Sequence, residues 1–216
     1  MTQPQQQRRR SGVTLIEIVV ATAIIGILAA MAVPNYLTWQ ADMRVKGAAR
    51  AVADAFVLGR VEAIRSGNNH IVALNRTLGA SEAIEIADDG VPGSGNCAID
   101  AGETVHQVSP IANISWGTTA SLANGAAAPD DLGGSPGTVS IGWSFTDAGG
   151  TTPAQWVLFQ PDGLPRLFTP AGCVLSGAGE GGGAIYVTNG RRDYAVVLGP
   201  LGTTRVHPWT PSGWRD

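Results

Sequence analysis

One carboxylate, Glu17, stands inside an otherwise apolar run from Val13 to Val33, whose other polar members are Thr14 and Thr22. On membrane-insertion scales a charge within an apolar helix costs roughly 2 to 3 kcal/mol, so Glu17 calls for a compensating cation or a purpose. The other reactive pair is Cys97 and Cys173, the two cysteines of the chain. In an oxidising compartment their default is one disulfide, which would close a long loop and stabilise the fold by about 4 kcal/mol; two buried free thiols are the alternative. No His or Cys lies beside either cysteine at metal-ligand spacing.

Enzyme chemistry finds little to build on. His70, His106 and His207 are widely separated, and none has a second ligand at the spacing of a helical or hairpin metal site. Asp88-Asp89-Gly90 and Asp130-Asp131 do not follow the alternating oxygen pattern of a calcium loop. Gly181-Gly182-Gly183 lacks the following Lys-Ser/Thr of a phosphate loop, Gly93-Ser94-Gly95 lacks the helix that would make it one, and no nucleophile elbow is recognised. The expectation is a protein with no catalytic residues, no metal and no cofactor.

The elements that position these residues begin with the apolar run. Its 21 residues span roughly 32 Å as a helix, the thickness of a bilayer's hydrocarbon core. Arg8, Arg9 and Arg10 precede it and mark the cytoplasmic side, so the remainder of the chain is expected outside the cytoplasm. A removable secretory signal ending near Ala30-Met31-Ala32 competes with this reading, but a disposable segment has no reason to carry Glu17. A plain anchor with a stray acid competes too.

Behind the anchor about 180 residues remain, enough for one core. Formal charge is −3, and −6 without the three leading arginines, a balance that suits generic nucleic-acid binding poorly. From Thr38 to Ser66, Ala41, Val45, Ala48, Val52, Ala55, Phe56, Gly59 and Ala63 recur at helical spacing, with charged residues mostly elsewhere on the wheel. The spacing predicts an amphipathic continuation of the first helix, kinked or unwound near Pro34 and ended by Ser66-Gly67-Asn68-Asn69.

Strands are expected at His70–Asn75 and Ala83–Ala87, joined by a looped connection over Arg76–Glu82. Further strands are expected at Thr104–Val108, Ile111–Trp116, Thr138–Thr146, Gln155–Gln160, Ala184–Thr188 and Tyr194–Leu198. Thr118–Gly137 reads as a long surface loop without structure of its own. Trp39 suits a membrane interface, while Trp116, Trp143 and Trp156 read as core. The tail from His207 to Trp214 is too rich in Pro for a central strand, so its Trp209 and Trp214 either pack back on the sheet or offer partner contacts.

Gly12 followed by Val13-Thr14-Leu15-Ile16-Glu17 resembles the processing site of type IV pilins and pseudopilins. The resemblance implies that a prepilin peptidase cuts after Gly12 and that Val13, where family members typically carry Phe, becomes the methylated first residue. The new amine would lie one helical turn from Glu17, and an ion pair within the chain or to a neighbouring subunit would offset the buried charge. The implied fold is α+β: a long N-terminal helix, half in lipid and half packed on a mainly antiparallel sheet. The domains would be a leader over 1–12, a transmembrane and assembly helix over 13–33, its amphipathic continuation over 34–66, and a periplasmic β domain over 67–216.

In the second half, Trp156-Val157-Leu158-Phe159-Gln160-Pro161-Asp162-Gly163 and the hairpin of Ala184–Gly190 with Tyr194–Leu198 look like the closing region of the GspH/FimT group of minor pilins and pseudopilins, which includes FimU. Its F-x-P-x-G element falls on Phe159, Pro161 and Gly163. In that group a glycine and arginine pair often follows the last strand, and in some members arginines there contact DNA; here one arginine of Gly202-Thr203-Thr204-Arg205 is replaced by Thr. Arg191 and Arg192, in a turn between the last two strands, could join Arg205 in meeting phosphates, against the plainer reading of a solvated turn.

The reading is a non-enzymatic subunit, a minor pilin or pseudopilin that helps to initiate or cap a type IV pilus or type II secretion pseudopilus. Its implied partners are other subunits, prepilin peptidase and inner-membrane lipid. A DNA-uptake pilin and a simple membrane-anchored binding domain are the alternatives.

Overall fold

The computed structural model describes residues 12–78, 81–91, 94–108, 114–119, 121–137 and 142–215. The proposed leader therefore lies outside the described residues, apart from Gly12. The chain divides into two compact units, the first ending at Gln40 and the second running over Ala41–Asp216.

The first unit is the start of helix α1 (Leu15–Ser66). Thr14 caps it: its Oγ1 accepts the Glu17 N–H at 3.3 Å, satisfying one of the first-turn donors that have no carbonyl partner in a helix. Thr22 turns its hydroxyl back to Ile18 O at 2.9 Å, which removes a polar group from the surface. The large apolar side chains of this stretch, Leu15, Ile16, Ile24, Ile25, Leu28 and Met31 among them, are all exposed. Of the kink or unwound stretch expected at Pro34, the second is absent, since the helix continues through it. One lost hydrogen bond is tolerated where the turns on either side are intact.

In the second unit α1 turns the predicted stripe inward. Val45, Ala48, Val52, Ala55, Phe56, Gly59 and Ala63 are buried, and Ala41 is half-buried. Gly59 lets the helix approach the sheet closely, since a Cβ there would sit 2.6 Å from Val72 Cγ2. Ala63 O then accepts the Gly67 N–H at 3.1 Å, and the φ of +74° at Gly67 turns the chain out of the helix.

Two antiparallel sheets enclose this stripe. The first has the order β3-β2-β1-β5-β6, from β1 (His70–Leu78), β2 (Ser81–Asp88), β3 (Val105–Val108), β5 (Trp156–Phe159) and β6 (Pro165–Arg166). The second has the order β12-β11-β10-β9-β4, from β4 (Ser115–Trp116), β9 (Gly183–Thr188), β10 (Asp193–Leu198), β11 (Thr204–Thr210) and β12 (Gly213–Trp214). A small ribbon pairs β7 (Phe168–Thr169) with β8 (Val174–Leu175). The α+β class and the long helix packed on antiparallel strands are as the sequence implied.

The core lies between α1 and the sheets. Val72, Leu74, Ile84, Ile86, Val157 and Phe159 come from the first sheet, and Ile185, Val187, Val196 and Leu198 from the second. Phe56 meets Phe145 with ring centroids 5.8 Å apart. Each sheet also carries a second apolar cluster: Ile71, Ala73, Cys97, Leu158 and Phe168 on one, and Ala128, Ala184, Tyr186, Ala195 and Val197 on the other. Burial of alternating residues in two clusters explains why β9 reads as an unbroken buried run.

Several expectations are corrected. The loop expected over Arg76–Glu82 is mostly strand, because β1 runs to Leu78 and β2 starts at Ser81. Residues 111–113 and 138–141 lie outside the described residues; of the two strands expected there, β4 and the isolated bridges of Trp143 to Ile185 and Thr146 to Pro153 are what the described parts form. The Pro-rich tail, read as unsuited to a central strand, forms β11 beside the edge, and β12 covers only its Trp209 and Thr210. In β11, Pro208 stands opposite Tyr194, and its carbonyl accepts the Arg215 N–H at 3.0 Å, so the missing N–H disrupts little. Trp214 packs back on the sheet, 5.6 Å from Tyr186 and 5.1 Å from Trp209.

Candidate functional site

At the N-terminus, Gly12, Val13 and Glu17 are exposed, and Glu17 has no cation partner among the described residues. Thr14-Leu15-Ile16-Glu17 carries the Thr-x-x-Glu spacing of a capping box, a helix-start signal that the sequence reading passed over while weighing Glu17 for assembly. The positive end of the helix dipole favours a carboxylate here, so the charge is tolerable before any partner arrives. Onward from Leu15, α1 is long and apolar enough to cross a membrane by length and composition.

Cys97 and Cys173 form a disulfide across 76 residues of sequence, with Cα atoms 5.1 Å apart. Its position in the cluster of Ile71, Leu158 and Phe168 ties the loop before β3 to the ribbon of β7 and β8. Asp89 is the buried acid beside it, with a carboxylate oxygen within 4.8 Å of both sulfurs. Asp89 accepts the Asn96 N–H at 3.2 Å. Burial lifts its carboxyl above the ordinary value and the charge of Glu103 adds to this, while the N–H groups of Cys97, Asn96 and Ala98 pull it down. Sulfurs joined in a disulfide offer a metal no thiolate, so this group has a structural rather than ligating character.

The three arginines weighed for phosphate contact are not brought together. Tyr194 pairs with Pro208 and Val197 with Arg205, which puts Arg205 about 17 Å along β10 from the Arg191-Arg192 turn. Arg205 pairs with Asp131, whose other oxygen lies 3.4 Å from Nε2 of the fully buried His207. At the opposite end Arg192 Nε lies 3.3 Å from Asp42 Oδ2 on α1. The Asn189 side chain donates to Ala41 O at 3.0 Å, so the turn between β9 and β10 is pinned to the start of the second unit. Arg191 and Arg192 line an open cleft of about 390 Å³ with Ser121, Leu122, Trp209 and Thr210.

Two further features escaped the sequence reading. The loop left without structure, Thr118–Gly137, is tied down by tertiary contacts: Asp193 accepts N–H groups of Thr119 and Ala123, Tyr186 Oη accepts the Ala128 N–H, and Ala126 O accepts the Trp214 indole N–H. Within it, Gly133-Gly134-Ser135-Pro136-Gly137 has the spacing of a nucleophile elbow. Ser135 is nonetheless in an exposed loop with no helix after it among the described residues, and its N–H bonds Asp130 Oδ1 at 2.9 Å. Among the described residues no strand-to-helix turn of the kind that activates such a serine surrounds it.

Residues 7–33 match the family model of the prokaryotic N-terminal methylation motif. That match coincides with the capped, exposed apolar start of α1 and supports a type IV pilin-like protein, a structural subunit rather than an enzyme. No curated protein and no solved structure matches the chain. The motif and the apolar helix together are consistent with an inner-membrane anchor.

Proposed function

We propose that the chain is a minor pilin or pseudopilin of the GspH/FimT kind, helping to start or cap a type IV pilus or type II secretion pseudopilus. The observation that carries the reading is the coincidence of the methylation motif over 7–33 with an exposed apolar helix holding Glu17 in its first turn. Arg8–Arg10 hold the N-terminus in the cytoplasm, prepilin peptidase cuts after Gly12, and the β domain lies in the periplasm. On leaving the bilayer, the apolar stretch exchanges lipid for the helices of other subunits. Glu17 meets a neighbour's amine, and the pair sets the register of assembly because a shift of one turn would strand both charges.

The Phe159, Pro161 and Gly163 element supports the finer assignment: Phe159 is in the core, and Gly163 has φ +77° with no room for a Cβ, which would meet Ile64 Cδ1 at 2.8 Å. The deciding measurement is the N-terminal sequence and mass of the protein from its native membrane. A start at Val13, methylated, is expected; a start at Val33 or an intact Met1 would overturn the assembly reading.

A further inference from the structure

The two sulfurs of the disulfide differ in exposure. Cys97 is 2% exposed and packs with Ile71, Leu158 and Phe168, whereas Cys173 is half-buried at the end of the turn that joins β7 to β8. A thiolate arriving from solvent therefore meets Cys173 first, and attack in line with the S–S bond makes Cys97 the leaving group. The incoming sulfur bonds to Cys173 as the bond to Cys97 breaks. Cys97 departs with the bonding pair as a thiolate, which water then protonates. One negative charge is spread over three sulfurs during this step.

That charge develops beside Asp89, which holds a carboxylate oxygen within 4.8 Å of both sulfurs, so attack at either would meet it. Asp89 is 3% exposed and pairs with no cation among the described residues. The N–H groups of Cys97, Asn96 and Ala98 bond to it and favour its charged form. Glu103 is a second negative charge acting on it, and Asp100 shares that loop. Asp88 adjoins Asp89 at the end of β2, with His70 opposite on β1. The residues of β1, β5 and β7 that pack on the disulfide, Ile71, Leu158 and Phe168, are apolar. A like charge at such a separation, with little water between, slows thiolate attack by about tenfold or more.

We propose that Asp89 is a charge guard on the Cys97–Cys173 disulfide: its carboxylate turns away thiolates, anionic thiols above all, and the cross-link becomes open to thiol exchange when Asp89 carries a proton. The same residue thus selects the class of thiol that can open the bond, favouring neutral reagents over acidic ones. The inference concerns the unit from Ala41 onward by itself and does not depend on a membrane or on assembly into a filament.

The test uses the full chain in neutral detergent, with 2-mercaptoethanol as the neutral thiol and 2-mercaptoethanesulfonate as the anionic one. Opened disulfide is trapped by alkylation and followed by mass spectrometry, and rates are expressed per thiolate so that titration of the reagent cancels. At about pH 8, D89N should react about tenfold faster than the parent, and its preference for the neutral over the anionic thiol should shrink. Burial raises the value at which Asp89 takes its proton, so on acidification towards about pH 4 the parent should gain rate per thiolate until it meets the level profile of D89N. A flat profile in the parent, which needs no substitution to measure, would overturn the proposal. So would equal rates in parent and D89N, or a faster D89N with an undiminished preference between thiols, which is the mark of a loosened fold. Rates should rise in proportion to thiol concentration, because attack falls on the folded protein; a common ceiling set by unfolding would also overturn it.

Discussion

Asp193 grips Thr119 with both carboxylate oxygens: Oδ1 accepts the Thr119 hydroxyl at 2.8 Å and Oδ2 accepts the Thr119 N–H at 2.9 Å. Oδ1 also accepts the Thr188 hydroxyl at 2.6 Å, and Oδ2 the Ala123 N–H at 3.2 Å. One acid on β10 therefore organises a loop some seventy residues before it in the chain.

Replacing Asp193 with Ala leaves the N–H groups of Thr119 and Ala123 without an acceptor, while the two hydroxyls keep each other and Arg192 O. A loss of about 3 kcal/mol is expected, read as a shift in the urea midpoint. Faster proteolysis within the loop from Thr118 to Gly137 should accompany it. A midpoint within error of the parent would show that water replaces the carboxylate at no cost.

The disulfide makes a separate prediction. Its 76-residue loop implies a loss of about 4 kcal/mol when Cys97 and Cys173 are both changed to Ala. Denaturation of the oxidised parent, the reduced parent and the double variant measures this. The reduced parent and the variant should agree, because both lack the same cross-link.

Asp89 gives stability a pH dependence of definite sign. Burial, aided by Glu103, raises its folded value above the unfolded one, so folding favours the protonated form. That contribution is fully present below the unfolded value of about 3.9 and is lost as pH rises through the folded value. Comparing urea midpoints of the parent and D89N between about pH 3 and pH 7 isolates it. The variant should weaken less over that rise, and parallel profiles would assign the dependence to other groups.

Glu17 separates folding from assembly. In E17A the β domain should keep its stability, since the first turn loses at most about 1 kcal/mol of dipole interaction and the Thr14 cap remains. Membrane insertion should also be unchanged. Recovery of the subunit in sheared filaments should fall by about tenfold or more if a buried pair is broken. Undiminished recovery would remove the register role.

Local pattern made part of this fold legible. The buried stripe from Val45 to Ala63 is written at helical spacing, and β1, β5, β9 and β10 are apolar runs that need no distant information. The loop from Thr118 to Gly137 was opaque for the opposite reason: its anchors, Asp193, Tyr186 and Trp214, lie far along the chain. Pro208 hid β11, because composition cannot show that the strand beyond it is only Gly213–Trp214. The arginines looked like neighbours in sequence, but the pairing register of β10 with β11 sends Arg205 to the far end.

The outermost strands have a consequence for how copies of this domain can meet. One sheet is flanked by the four residues of β3 and by β6, which contains Pro165; the other is flanked by β12 and β4, two residues each. Strands this short are themselves poor templates for a foreign strand. On the proposed reading, open-ended polymerisation would then fall to α1.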